Sequence, residues 1–229
     1  MHLPHIGKGT NNRLAYFSKN LIRYITPKVW LHRRLNKVLA ELDKRPDKDY
    51  ILKRVEYYNR LQGVVPLDPT CAKPLALHKF GDAGSTYFFD SYEFTRWFSD
   101  SLKWCYLFGD VTHVPPVPSI VKSRPIEGDI ANSVLLNLDK VRHFTFIKDH
   151  IPFRKKMDKA IFRLSISEKP HRRRFVQMYF DHPMCDTGII SPLPDDPPEW
   201  VKKKITLYDH LVYKFVVSLE GNVVATCLK

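Results

Sequence analysis

An α/β fold with mainly parallel strands behind a basic helical region is predicted by three features of this 229-residue chain. Up to Gly63 the apolar residues recur with helical spacing. From Val64 onward short apolar runs, bounded by Gly, Pro and Asp, alternate with amphipathic stretches, the texture of parallel strands joined by helices. Hydrophobic residues make up 44% of the chain and charged residues 27%, a balance that folds around a core. At roughly 100–200 residues per domain, the length suits one large or two small domains.

In order along the chain, Asn11 and Asn12 are placed to cap a helix running to about Tyr24. Thr26-Pro27 then reads as a cap and first-turn proline for a second helix, on which Val29, Leu31, Leu35, Val38, Leu39 and Leu42 lie mostly on one side. Arg33, Arg34 and Lys37 lie off that stripe, which is expected to pack on the main body rather than on lipid. A third helix is expected from about Asp47 to Gln62, stopped by Gly63. VVPLDPTCAKPLAL reads as an extended linker and YFFDSYEFTRWF as a helix with aromatic core positions. WCYLFGD, VPSIVKSRP, VRHFTFI and KAIFRLSI read as strands, and HRRRFVQMYF as a helix. TLYDHLVYKF reads as a helix that passes into a strand and turn at FVVSLEGN. The expected divisions are 1–62, a basic helical region, then domains over 63–150 and 151–229.

Charge narrows the partners. The net charge is +13, of which +9 falls in residues 1–62, and the first 40 residues hold eight Lys/Arg and no acid. Such asymmetry fits a polyanionic surface: an anionic membrane, nucleic acid or a phosphorylated glycolipid. No RNP, zinc-finger or basic-zipper pattern accompanies it, so nucleic acid is not the expected partner. No apolar run reaches the ~18 residues of a membrane span, and MHLPHIGKGTNNRL lacks a signal-peptide core. The four cysteines, 71, 105, 185 and 227, form no CxxC pair, so no disulfide framework or zinc ribbon is expected and a reducing compartment is favoured. His182 and Cys185 are too few for a metal site, and no metal is expected.

Three segments carry chemistry. In LFGDVTHVPPVPSIVKSRPI a bulky strand ends at Gly109-Asp110, and ligands of open α/β sheets lie outside the carboxyl ends of strands. Asp110 is there either as a general base or as a turn residue accepting backbone N–H groups. In FRLSISEKPHRRRF, Arg163 leaves a strand, and Arg172, Arg173 and Arg174 stand at a helix start. Guanidinium forks and helix N–H groups suit a diphosphate, and a solvated basic face is the alternative. In SLEGNVVATCLK, Glu220 could meet ribose hydroxyls while Gly221-Asn222 turns the backbone toward a ligand.

GDVTHVPPVPSIVKSRPI, NSVLLNLDKVRHFTFIKDHIPF, KMDKAIFR, KPHRRRF, DHPMCD and YKFVVSLEGNVVATCLK, in that order over about residues 80–229, resemble glycosyltransferase family 90, the CAP10-like family, in its bacterial lipopolysaccharide branch. The resemblance implies a GT-B-like pair of Rossmann-like domains, the first on the acceptor side and the second binding a nucleotide sugar. It implies an inverting hexosyltransferase without metal or other cofactor, acting on lipopolysaccharide or a related glycolipid. It matches Asp110 to the base, Arg163 with Arg172–Arg174 to the diphosphate, Glu220, Gly221 and Asn222 to the nucleoside, and Lys122, Ser123 and Arg124 to the cleft lining. Leu164 stands where the family has glycine. Family members continue beyond EGN…LK, so the second domain is expected to be incomplete, with an inactive membrane-associated fragment as the alternative reading. The expected location is cytoplasmic, peripheral on the inner membrane.

Overall fold

The computed structural model describes residues 11–82, 84–143, 145–166 and 169–221, and it divides into two compact units, Asn12–Val141 and the chain from Arg142 onward with Asn11. Both are α/β, and each contains a three-stranded parallel sheet.

In the first unit Asn12 caps α1 (Arg13–Ile25), its side chain accepting the Ala15 N–H at 3.1 Å. Thr26 does not cap the next helix as expected. The following proline disfavours helical geometry at Thr26, which is extended and closes α1 by donating its hydroxyl to the Ile22 carbonyl at 2.7 Å. Helix α2 (Val29–Ala40) starts after Lys28, and α3 (Lys48–Tyr58) ends short of Gln62, where Asn59 turns extended. The presumed linker contains β1 (Lys73–Pro74), followed by α4 (Ser85–Thr95), β2 (Lys103–Trp104) and β3 (Tyr106–Leu107). Strand β1 pairs antiparallel with β2, while β3, β4 (Ser119–Val121) and β5 (Ser133–Leu135) form a parallel sheet in that order.

The strand expected at VRHFTFI is corrected to β5, earlier in the chain. Ile120 pairs with Val134, so β4 is hydrogen-bonded on both sides and leaves no place for another partner. The β1–β2 ladder also corrects the cysteine reading. Lys73 lies opposite Trp104, which brings Cys71 and Cys105 to a Cα separation of 5.5 Å, where they form a disulfide across 34 residues.

The core of this unit is aromatic, as the spacing in α4 predicts. Phe88, Phe89 and Tyr92 are buried against Tyr16 and Phe17 of α1. Asp90 is buried among them, accepting from the Tyr16 hydroxyl at 2.7 Å and the Lys140 N–H at 2.8 Å. Burial raises the pKa of this carboxyl in spite of those two bonds, which oppose the shift.

In the second unit β6 (Met157–Leu164), α5 (Pro170–Tyr179) and β7 (Cys185–Ile189) make a βαβ unit. Strand β7 was unforeseen, because CDTGII carries little apolar signal before its last residues. The helix expected at TLYDHLVYKF shrinks to α6 (Leu207–His210), held by a Thr206–Asp209 capping box, and Tyr213–Val216 is strand β8. The sheet order is β7-β6-β8. Phe162, Ile166, Val176, Ile189 and Trp200 form its core, with Phe175 and Phe180 packed alongside. Among the described residues no helix is long and apolar enough to cross a membrane.

Candidate active site

The first unit gathers charge at the carboxyl ends of its three parallel strands. Asp110 follows β3, Lys122 follows β4 and Asp139 follows β5. Gly109, at φ 113°, makes the turn that presents Asp110, a backbone conformation that a side chain at this position would strain. Lys122 Nζ donates to Asp110 Oδ1 at 2.6 Å and stands 3.9 Å from Asp139 Oδ2. The Lys122 side chain is only 9% exposed and that of Asp110 is 43% exposed. A buried cation thus holds a carboxylate that water or substrate can reach. Asp139 is buried and adopts φ 59°, outside the conformations that most side chains favour. Sequence reasoning did not single it out, although it follows a run, SVLLNL, that ends a strand as LFG does.

Ser123 and Arg124 serve the frame. The Ser123 hydroxyl donates to the Val111 carbonyl at 2.9 Å. Arg124 donates to the carbonyls of Ser133 at 2.9 Å and of Tyr57, and lies 5.4 Å over the Tyr57 ring, tying the end of α3 to β5.

The second unit gathers its charge around Asp186, the second residue of β7. Arg163 lies near the carboxyl end of β6, opposite Gly188 of β7. Its side chain is 6% exposed and donates to Asp186 Oδ1 at 2.7 Å. Lys202 also donates to Asp186 Oδ1, at 3.1 Å, and the Tyr213 hydroxyl donates to Oδ2 at 2.5 Å. These three donors hold the Asp186 carboxyl well below the usual carboxylate range against its own burial, and the same contact and burial push the Tyr213 phenol up to about 12. Two cations thus converge on one carboxylate within the sheet, where Asp186 pairs with Ile161. Arg163 Nε is buried without a partner among the described residues. Gly188 makes the cluster feasible, since a Cβ there would come within 2.5 Å of Arg163 Nη1 and 2.7 Å of the Lys202 side chain. A glycine inside a strand is the signal that could have found this close approach.

The three consecutive arginines separate by task. Arg172 donates to the carbonyls of Ser165 at 2.8 Å, Leu219 at 2.7 Å and Glu220 at 2.9 Å, with His171 also within 2.9 Å of the last. It therefore fixes the segment after β8 that carries Glu220 and Gly221. Arg173 pairs with Asp196 at 2.7 Å and donates to the Asp195 carbonyl at 2.9 Å. Arg174 is exposed and has no side-chain partner among the described residues. Asn222 lies outside the described residues. His182, once a candidate ligand, takes the Met184 N–H on Nδ1 at 3.2 Å.

The first unit therefore sets titratable groups where parallel strands end, the place at which open α/β sheets meet their ligands, whereas the charges of the second converge on Asp186 near the start of β7. The chain is 34% identical over 220 residues to the O-glucosyltransferase LpsA of Dichelobacter nodosus, an alignment covering 95% of this chain and 68% of that relative. The chain belongs to the LpsA glycosyltransferase family. No protein-family model and no solved structure matches it. As a glycosyltransferase it needs an acceptor to be deprotonated and a leaving group to be stabilised.

Proposed function

We propose that this glycosyltransferase moves a sugar from a nucleotide-sugar donor to a lipopolysaccharide-type glycan with inversion at the anomeric carbon, as a member of family 90 with the GT-B arrangement that the resemblance implies. The observation that carries the reading is the 34% identity, over nearly the whole chain, to a protein named O-glucosyltransferase LpsA. The placement of Asp110, Lys122 and Asp139 after the strands of the first parallel sheet supports it.

The chemistry is a single displacement. Asp110 Oδ1 is held by Lys122, which leaves Oδ2 to accept the proton of the acceptor hydroxyl. As that proton moves, the acceptor oxygen bonds to the anomeric carbon from the side opposite the leaving group. The bond from that carbon to the diphosphate oxygen breaks, and its electron pair leaves with the diphosphate. For the diphosphate, which takes up that negative charge, the second unit offers Arg163 and Lys202, anchored by Asp186, and the exposed Arg174. Arg172 and Arg173 act through what they hold, Arg172 by placing Glu220 and Gly221 toward the nucleoside.

Asp110→Asn tests the base. Transfer is expected to fall by about 10²–10⁴-fold with donor binding nearly unchanged, and wild-type turnover in this variant removes the assignment. In the same assay Arg174→Ala is expected to weaken donor binding while leaving the melting temperature unaltered. Unchanged affinity for the nucleotide sugar would dismiss it as a phosphate ligand.

A further inference from the structure

We infer that the outward faces of α1 and α2 form a docking surface for an anionic phospholipid bilayer. The inference does not depend on the catalytic assignments. Helix α1 packs inward through Tyr16, Phe17 and the buried Asn20. The edges of its Tyr24 ring meet Phe88 and Tyr92. Its opposite side carries Leu14, Leu21 and Ile25, spaced seven and four residues apart, with Ile22 beside them. Leu14 is 77% exposed, Ile22 62% and Ile25 71%. A helix whose inner face is already packed normally shows water a polar side, and this one shows an aliphatic stripe.

Helix α2 adds the complementary chemistry. Trp30, Arg33, Arg34 and Lys37 fall within about 100° of its circumference, and Trp30 is 65% exposed. Exposed tryptophan among cations on one helix and an exposed aliphatic stripe on the preceding one are together the composition of segments that lie in a membrane interface.

Charge selects the occupant. Arg23 and Lys28 are engaged, pairing with Glu93 at 2.8 Å and Asp100 at 2.5 Å. Arg13, Lys19, Arg33, Arg34 and Lys37 are exposed and make no ion pair among the described residues. No acid occurs before Glu41. A second copy of this chain would set the same uncompensated cations against themselves, whereas an anionic bilayer supplies opposite charge at its surface and an apolar medium just beneath.

The test is co-sedimentation of the full chain with vesicles of phosphatidylcholine alone and of phosphatidylcholine with phosphatidylglycerol. Binding is expected only to the anionic vesicles. It should weaken about fivefold for each charge removed in Arg33→Ala and Arg34→Ala, and at least about tenfold in the double variant Leu21→Ser, Ile25→Ser. Brominated lipid should quench a fluorescence component that Trp30→Phe removes. Unchanged melting temperatures verify that these exposed substitutions leave the fold intact. Absence of binding, equal binding to neutral vesicles, or variants that bind like the wild type would overturn the proposal. So would a dimer that the Leu21/Ile25 variant dissolves in a chain that ignores lipid, because the stripe would then be a subunit contact.

Discussion

At position 188 a methyl group is already too large. The nearest atoms to it, in Arg163 and Lys202, belong to long side chains that would ordinarily swing aside, but Arg163 is buried and bonded to Asp186. Gly188→Ala is therefore expected to destabilise the protein by about 1–3 kcal/mol and to weaken donor binding, as read by denaturant unfolding and nucleotide-sugar titration. Ordinary stability in that variant would mean that Arg163 is not pinned. His78 makes a second residue-level case. It is buried, with the Ser91 hydroxyl 2.8 Å from Nε2 and the rings of Phe88 and Trp104 at 4.9 and 4.8 Å, and burial pushes its pKa down to about 4. The unfolded chain protonates this histidine near 6.5, so the folded state keeps its full advantage above that value. That advantage is lost as pH falls toward about 4, by at most about 3 kcal/mol. Urea unfolding of wild type and His78→Phe at about pH 7 and about pH 4.5 should show a steeper acid loss in the wild type. Parallel losses would remove His78 as the cause.

At the scale of elements, the disulfide shows what a two-residue ladder can do. Cys71 and Cys105 are 34 residues apart, with nothing in their local sequence to couple them, and the β1–β2 pairing makes them neighbours. Closing a loop of that length restricts the unfolded chain, so Cys71→Ser is expected to lower stability by on the order of 3–4 kcal/mol under oxidising conditions and by little after reduction. Thiol titration of the denatured chain before and after reductant checks the bond itself, with two further thiols expected after reduction. The elements legible in sequence were those whose signal is local. The Asn12 cap, the aromatic spacing of α4, the bulky run of β6 and the proline-started α5 each carry it within a few residues. The elements that escaped are defined by partners. Strand β5 exists because Ser133–Leu135 pairs with β4, and β8 replaces helix because Tyr213 and Phe215 pair with β6.

For the whole molecule, the charge of +13 and its concentration in the first 62 residues must be set against a chain that is a glycosyltransferase. The cations give general attraction to polyanions. Filter binding to duplex DNA is therefore expected to be weak, indifferent to sequence and lost by about 200 mM salt, and a tight complex surviving that salt would reopen the nucleic-acid reading. Composition, charge distribution and hydrophobic spacing were enough to determine an α/β chain with a basic helical front, while the residues alone left Asp110 as either a base or a turn residue and Arg163 with its neighbours as either a diphosphate site or a solvated face. The tertiary structure alone decided that Lys122 and Asp139 stand beside the first and that Asp186, Gly188, Lys202 and Tyr213 surround the second. It also decided that Arg172 grips backbone carbonyls while Arg174 faces solvent. The reason is physical: helix spacing and turn chemistry act over a few residues, whereas a charge cluster is assembled by strand order and register, which join residues that no local pattern connects.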